Sequence, residues 1–321
     1  MPETVNLEER LKLNVFNRET LIKGKPAQVA CVEIGGQTFT ITKGVLGVVS
    51  LEDEWYEDVR DPRFVIHALK NAPGFKPDIF TFWQRVPETE QRHQYHIEWE
   101  SLAVLPITSF DHWWNKQIKG TTRNMIRKSQ KAGVEVRRAT FDDEFVRGMV
   151  DIFNEAPVRQ GRRFWHYGKD PETVKRQFSR FLFREDLIGA YYERKLIGFV
   201  MLANAGRFGV LGQFISKIEH RGKAVNNALI AKTVEVCEKR QLPYLTYGSW
   251  TDSSLVDFKR HSGFEKMTVP RYFVPLSQKG RLGLKLGAHR RWREICREKI
   301  RVPLRRLRRF FHGLGEARAR G

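Results

Sequence analysis

The chain has 321 residues and a formal net charge of +20 at pH 7, and 41% of its residues are hydrophobic. That length allows two hydrophobic cores of about 130 to 150 residues each. The three cysteines, Cys31, Cys237 and Cys296, have no Cys-x-x-Cys spacing, which argues against a disulfide framework or a zinc site, so we expect no bound metal. No apolar run approaches the ~20 residues of a membrane-spanning helix, and no secretory signal begins the chain. We therefore expect a cytoplasmic protein.

The first hundred residues predict a sheet without a binding loop. Apolar segments separated by glycine predict strands at residues 29–34, 37–42, 45–51, 79–83 and 95–105. Residues 52–71 look helical with an interruption at Pro62, and residues 110–131 predict one long helix that leads into the rest of the chain. Because no strand here is followed by a basic loop and a helix, we expect this region to support the fold by packing or to form one wall of a cleft.

A loop at residues 154–168 combines charged and aromatic side chains with Pro157, Gly161 and Gly168. Arginines clamp carboxylates or phosphates, and flat aromatic rings stack on sugars or nucleobases. We therefore interpret the loop as a binding segment; the alternative is an ordinary surface loop whose arginines serve solubility. The candidate substrate-binding residues are Glu155, Arg159, Arg163, Trp165, His166 and Tyr167.

Three predicted strands then lead to a turn of the kind that binds phosphate. The strands are residues 187–192, 196–202 and 210–218. A basic loop of small residues at 220–226 precedes a helix with apolar periodicity at 227–240. Backbone N–H groups converge at the positive end of a helix, and Arg221 and Lys223 add full charges, which together favour a pyrophosphate. The alternative is a solvated connection between strand and helix.

The order of elements from residue 187 onward resembles the GNAT acyltransferase superfamily. The basic loop and its helix are followed by a predicted strand at 244–248, a helix at 253–261, Gly263-Phe264 and a strand near 271–274. Arg221-Gly-Lys-Ala-Val-Asn226 is similar to the acyl-CoA loop of that superfamily, usually Arg-Gly-x-Gly-x-Gly or Ala. The resemblance implies an α+β fold with a mixed, mostly antiparallel sheet flanked by helices. It implies that acetyl-CoA or another acyl-CoA binds at Gln213, Ile215, Arg221, Gly222, Lys223, Ala224, Val225 and Asn226.

Two segments are similar to the Fem-type branch of that superfamily. Residues 122–136 are similar to its Arg-x-x-Ile-Arg-Lys-Ala-x-Lys-x-Gly-Val segment, and residues 258–263 to its Phe-Lys-x-x-x-Gly. Fem-type proteins carry two GNAT-like units in tandem and include aminoacyl-tRNA-dependent peptidyltransferases of cell-wall synthesis. The resemblance implies a partial N-terminal unit at 1–108, a connecting helix at 109–134, an acyltransferase unit at 135–276 and a tail at 277–321.

Direct attack of an amine on a thioester requires that the two groups be held close together, and a general base assists it. Gln213 stands where GNAT enzymes often have a catalytic Glu, and an amide cannot accept the proton. Glu219 and His220 are the nearest titratable candidates, or else solvated loop residues. Lys259 stands where a tyrosine acid is usual, so it would stabilise the leaving group, bind a substrate phosphate or be an exposed helix lysine. Tyr247 is the alternative proton donor, or a half-buried core residue.

We expect a bacterial-type N-acyltransferase that moves an acyl group, such as acetyl, from acyl-CoA to an amine. The acceptor would be a small molecule or a precursor of the cell envelope or of a polysaccharide. One alternative is a Fem-type peptidyltransferase that uses aminoacyl-tRNA. The other is a catalytically inactive GNAT-like scaffold that only binds a partner.

The last 45 residues form a basic amphipathic segment. Residues 277–321 carry fifteen Lys or Arg and three Glu, a net charge of +12. Such a helix suits an anionic membrane surface, an RNA backbone such as that of tRNA, or a groove on the same protein. We expect residues 284–314 to dock the enzyme on the inner face of a membrane, and we find no DNA-reading motif. The apolar anchors, on both sides of Pro303, are Trp292, Ile295, Cys296, Ile300, Leu304, Leu307, Phe311 and Leu314.

Overall fold

The computed structural model describes residues 13–290 except 23–24, 43, 73, 180–181 and 251–253. The strands in this part of the chain are β1 (Asn14–Ile22), β2 (Lys25–Ile34), β3 (Gln37–Thr42), β4 (Val48–Leu51), β5 (Ile79–Trp83), β6 (His96–Pro106), β7 (Glu135–Ala139), β8 (Val158–Arg159), β9 (Arg162–Arg163), β10 (Glu185–Tyr192), β11 (Lys195–Asn204), β12 (Gly209–Ser216), β13 (Tyr244–Ser249) and β14 (Glu265–Pro275). The α-helices are α1 (Pro62–Asn71), α2 (Phe110–His112), α3 (Gly120–Lys131), α4 (Asp143–Asn154), α5 (Pro171–Phe178), α6 (Val225–Lys239), α7 (Ser254–His261) and α8 (Gln278–Lys285).

Twelve strands form one mostly antiparallel sheet, in the order β1-β2-β3-β4-β5-β14-β6-β13-β12-β11-β10-β7. Two neighbouring pairs are parallel, β4 with β5 and β12 with β13. The predicted α+β class with a mixed, mostly antiparallel sheet is therefore confirmed. The strands predicted before residue 106 and after residue 186 are present, with ends shifted by a few residues.

The sheet contains two similar halves that exchange their last strands. In the first half, antiparallel β2, β3 and β4 are followed by α1 and by β5, which is parallel to β4. In the second half, β10, β11 and β12 are followed by α6 and β13 in the same arrangement. The last strand of the first half, β6, pairs with β13, whereas β14 pairs with β5. The boundaries at residues 108 and 134 stay a prediction, because the sheet is continuous across them.

Two predicted helices differ from the structure. Residues 52–56 form turns, and the helix begins only at Pro62, because the carboxylate of Asp61 caps the N–H groups of Arg63 and Phe64 and proline fits the first helical turn. The long helix predicted over 110–131 is also wrong. It divides into α2, a π-helical turn over Trp113–Gln117 and α3, because the backbone is extended at Ile118. This break lets both Trp113 and Ile118 be buried.

Helices cover both faces of the second half of the sheet. Apolar residues of α6, among them Leu229 and Val234, pack with Ile126 of α3 against one face. Phe145 and Met149 of α4 pack against the other face together with residues of α5. None of the helices in the ranges given above is long and apolar enough to cross a bilayer.

The predicted tail begins with an ordered helix. Ser277 caps α8, and a Cβ on Gly280 would lie 1.9 Å from the backbone oxygen of Asp78, so this glycine allows α8 to approach the β4–β5 connection closely. Leu284 joins the core beneath it. The predicted apolar anchors from Trp292 onward lie outside the described residues.

Candidate functional site

A cleft opens in the sheet where β12 and β13 diverge. The two parallel strands pair only at Gly209 with Leu245 and at Val210 with Thr246. Beyond that point, Leu211 pairs with Leu202 of β11 and Gln213 pairs with Met201. Gly212 between them has no partner in β11 and forms a β-bulge. Gly212 is exposed although β12 lies inside the sheet between two other strands, so the backbone of Gly212 forms part of the cleft floor.

The turn after β12 presents backbone N–H groups at the start of α6. Residues Arg221–Lys223 form a 3₁₀ turn, Ala224 adopts a left-handed conformation with φ of 53°, and α6 then runs for 15 residues. In the part of the chain that the structure describes, the N–H groups of Gly222, Val225 and Asn226 have no acceptor. Free N–H groups at the positive end of a helix form an anion site.

Side chains around this turn have the charge and the room that such a site requires. Arg221 and Gly222 are exposed, and a Cβ on Gly222 would have no atom within 4 Å. The Lys223 ammonium lies 3.9 Å from the ring centre of Tyr192. The side-chain oxygen of Asn226 is buried and has no hydrogen-bond partner in the described part of the chain. Residues 221–226 thus form one continuous turn and helix start, in which Ala224 and Val225 are buried, and their contact with a cofactor stays a prediction.

Two residues of the predicted substrate loop hold the end of β12 in place. The Glu155 carboxylate accepts hydrogen bonds from the N–H of Ile218 at 2.6 Å and of Glu219 at 2.9 Å. Arg159 pairs with Glu155 at 2.8 Å and donates to the carbonyl oxygen of Ser216 at 2.9 Å. Both side chains are mostly buried, and they hold in place the turn that precedes α6. Their contact with a substrate stays a prediction.

The remaining loop residues divide between core and surface. His166 is 1% exposed, its ring stacks on Phe153 at 4.3 Å, and burial lowers its pKa to about 2, so it is neutral inside the core between α4 and α5. Trp165 lies under the ammonium of Lys169, at 4.0 Å from the ring centre. Arg163 and Tyr167 are exposed. Tyr167 and Arg163 are thus the predicted substrate residues that face solvent most openly.

Lys259 is buried, which excludes the exposed helix position considered as an alternative. It is 4% exposed, its ammonium donates to the carbonyl oxygen of Ser249 at 2.9 Å, and it lies 4.7 Å from the ring centre of Tyr247. This bond joins α7 to the end of β13. The Tyr247 ring also packs on Phe214 of β12 at 5.4 Å, so it spans the two diverging strands. Lys259 and Tyr247 thus lie together beside the cleft.

The other predicted catalytic residues lie along and after β12. Gln213 is half-buried next to the bulge and pairs with Met201. Glu219 is exposed and contacts Lys217 at 3.3 Å and His220 at 3.5 Å. Glu219 and His220 therefore lie at the turn that precedes α6, and Gln213 lies at the floor of the cleft.

Sequence reasoning missed a carboxyl group at the cleft. Glu185 is the first residue of β10, its Oε1 atom lies 3.9 Å from the position of a Cβ on Gly212, and its Oε2 atom is buried without a hydrogen-bond partner among the described residues. Burial raises the pKa of Glu185 to about 7. The strand predicted from residue 187 leaves Glu185 out, although strand alternation places Glu185 on the same face as Leu187.

His96, Glu98 and His289 bring metal-type ligand atoms within 4.8 Å of one another, away from this cleft in the strand order. Glu98 already accepts hydrogen bonds from Arg290 at 2.9 Å and pairs with His289 at the same distance. The adjacent cavity, of about 480 Å³, is lined by three cationic side chains, Arg281, Lys285 and Arg290. This positive charge disfavours a divalent cation.

No protein-family model and no curated protein sequence matches the chain. Among solved structures, FemX superimposes with a TM-score of 0.54 at 11% identity, over 82% of this chain and 89% of FemX. The C-terminal DUF2156 domain of a protein assigned as a lysylphosphatidylglycerol synthetase from Agrobacterium fabrum gives 0.52 at 13% identity, over 80% and 87%. A tandem GNAT protein from the clavulanic acid biosynthesis pathway gives 0.43 at 11% identity, over 78% and 83%.

At these identities the first two similarities establish a common fold. The chain has a GNAT-type fold of the Fem-like kind, as the motifs at residues 122–136 and 258–263 predicted.

Proposed function

We propose that the protein is an N-acyltransferase that binds an acyl-CoA at the turn before α6 and transfers the acyl group to an amine. The observation that carries this proposal is that the N–H groups of Gly222, Val225 and Asn226, at the start of a 15-residue helix, have no acceptor among the described residues. A pyrophosphate offers several acceptor oxygens and negative charge to such donors. Arg221 and Lys223 add positive charge at the same place.

The gap between the strands gives the acyl chain a route to the reaction site. From Leu211 onward β12 pairs only with β11, so its other backbone edge faces the gap. A pantetheine arm contains amide groups that can pair with an exposed strand edge, in the way a peptide adds to a sheet. The thioester would then lie near the bulge at Gly212, beside Gln213. An amine held there in near-attack geometry reacts without a covalent enzyme intermediate.

Isothermal titration with acetyl-CoA and with CoA tests the donor. We expect Gly222→Glu to abolish binding, because the new carboxylate would occupy the open position beside the N–H groups and repel the pyrophosphate. Gly44→Glu is the matched control, since Gly44 is also exposed and also has room for a side chain. Absence of binding to the unaltered protein at millimolar acetyl-CoA would exclude an acyl-CoA donor.

The exposed basic face of α3 supports a second candidate, a Fem-type transferase that uses aminoacyl-tRNA. Arg127, Lys128 and Lys131 are exposed on this helix, and no acidic residue occurs within it. Such a face suits a phosphate backbone, and binding through it would weaken steeply with salt. Transfer from charged tRNA, with tRNA affinity measured against salt concentration, distinguishes this donor from acetyl-CoA. An inactive scaffold, the third alternative, would bind CoA and acylate none of a library of amines.

The acceptor would enter from the side of the 154–168 loop. Arg163 and Tyr167 are exposed there and offer a charge and a flat ring. A screen of amino sugars, amino acids and polyamines against acetyl-CoA would identify the substrate class. We propose further that residues 291–321 hold the enzyme on an anionic membrane.

A further inference from the structure

Glu185 lies over the floor of the cleft. It pairs with Ala203 of β11, and Ala203 pairs in turn with Val210 of β12, so its side chain extends across β11 toward the bulge. Its Oε1 atom is 3.9 Å from the position that a Cβ on Gly212 would take, and the other atom within 4 Å of that point is the carbonyl oxygen of Met201. The exposed space above Gly212 is therefore bordered by the carboxyl group.

The charged residues next to Glu185 in the sequence form ion pairs with other residues. Arg184, one residue before it, pairs with Glu57 of the first half at 3.5 Å. Asp186, one residue after it, lies on the opposite face of the sheet and binds Arg138 and Arg240. Within the described ranges Glu185 forms no ion pair, and the shift of its pKa is caused by burial alone. A buried carboxyl without a partner costs free energy, and a carboxyl with a raised pKa beside a cleft is a candidate for acid–base chemistry.

We propose that the Glu185 carboxylate is the general base that takes a proton from the acceptor amine above Gly212. This inference rests on the acyl-CoA-dependent function proposed above. Glu185 accepts one proton from the ammonium group and later releases it to solvent. The neutral nitrogen forms a bond to the thioester carbonyl carbon, and the carbon–sulfur bond breaks with its electron pair leaving on sulfur. The second nitrogen proton neutralises the thiolate, so the products are an amide, CoA and one proton.

Other groups near the bulge are less suited to act as the general base. Gln213 is beside the bulge but has no basic atom, and the Glu219 carboxylate is exposed and contacts Lys217 and His220. A base is most effective when its pKa lies near the operating pH. Burial raises the pKa of Glu185 to about 7, close to neutral pH.

The test compares the full-length protein with Glu185→Gln, which keeps the shape of the side chain and removes its basicity. Release of CoA is measured with acetyl-CoA and the amines ethanolamine, glucosamine and spermidine, across the range from about pH 5.5 to pH 9. We expect kcat/KM at neutral pH to fall about 100-fold or more. The unaltered protein should show a rise in kcat/KM that levels off near pH 7, and the variant should lack it. Glu172→Gln, at an exposed position in α5, is the control and should retain both rate and profile.

Acetyl-CoA affinity separates the two proposals. Equal affinity of the unaltered and Glu185→Gln proteins, with transfer lost only in the variant, supports Glu185 as the base. Equal affinity with equal rates and the same pH profile overturns it and leaves the acyltransferase proposal standing. A protein that binds acetyl-CoA and acetylates none of the three amines also contradicts the role of Glu185. A protein that binds no acetyl-CoA removes the donor on which both proposals depend.

Discussion

Glu155, just after α4, accepts a hydrogen bond of 2.6 Å from the backbone N–H of Ile218, which lies just after β12. The same carboxylate accepts the N–H of Glu219 and pairs with Arg159. One side chain thus joins the helix that precedes the 154–168 loop to the turn that precedes α6. The acyl-donor and acceptor sides of the proposed site are mechanically connected at this residue.

Replacement of Glu155 by alanine should destabilise the protein and weaken acetyl-CoA binding. The change removes the acceptor of the partly buried Ile218 N–H and of the exposed Glu219 N–H, and it leaves the mostly buried Arg159 guanidinium without its carboxylate. We therefore expect the free energy of unfolding to fall by about 1–3 kcal/mol. Urea unfolding and isothermal titration measure the two effects. Glu144→Ala, at an exposed position on the first turn of α4, is the control. Equal losses in both variants would contradict the connecting role of Glu155.

The left-handed backbone conformation of Ala224 leads to a second prediction. Alanine at a φ of 53° is less favourable than glycine by about 1 kcal/mol, and a β-branched residue is worse still. Ala224→Gly should therefore retain acetyl-CoA binding, whereas Ala224→Val should lower the melting temperature and abolish binding. Ala139→Val in β7 is the control, because strands accommodate valine well. Normal binding by Ala224→Val would show that this turn does not form the site.

The carboxyl of Glu185 should affect stability in a defined pH window. Its pKa is raised from 4.5 to about 7 in the folded state, so the folded protein binds more protons than the unfolded chain between these values. The folded state is then progressively less favoured as pH rises from about 4.5 to about 7, and no further loss occurs above that range. Glutamine does not titrate, so the unfolding free energy of the unaltered protein minus that of Glu185→Gln should decrease across this window. A difference independent of pH would show that the carboxyl is solvated.

Truncation after residue 290 tests the membrane proposal. This change removes most of the basic tail and keeps α8, with Leu284 in its core position. Cosedimentation with vesicles that contain phosphatidylglycerol should require the tail, because each basic residue near an anionic surface contributes about 1 kcal/mol. Neutral phosphatidylcholine vesicles provide the control. Equal pelleting of both proteins on the anionic vesicles would exclude the tail as an anchor, and tail-dependent binding of tRNA alone would favour the RNA alternative.

Local sequence patterns predicted most of the second half, because β10, β11, β12, the basic loop and α6 follow one another along the chain and contact one another. Residues 221–223 form a turn and α6 follows it from Val225, two residues before the start that the pattern indicated. The helix start at Pro62 could also have been predicted, since Asp61 and proline are a typical N-terminal pair. The break at Ile118 could not, because it depends on burial of Trp113 against Ser262, about 150 residues away.

The candidate site residues also include some that the sequence could predict and some that it could not. His166 is a residue type that often binds substrates, yet it lies in the core. Aromatic residues of α4 and α5 surround it in the folded protein. Glu185 and Asp186 look equivalent in the sequence, yet Asp186 pairs with two arginines and Glu185 forms no ion pair with any residue that the structure describes. Strand alternation separates their faces, but only the packed structure shows that one face carries arginines and the other an open cleft.

The exchange of β6 and β14 has a consequence for folding kinetics. These two strands pair along nine positions at the centre of the sheet, and Ser101 meets Thr268 across about half of the chain. Contacts between such distant residues require closure of a large loop before they stabilise anything, which slows folding. The first half cannot complete its sheet during synthesis until β14 has emerged, and the second half requires β6 of the first. The two halves should therefore unfold in a single cooperative transition, and neither should be stable when expressed alone.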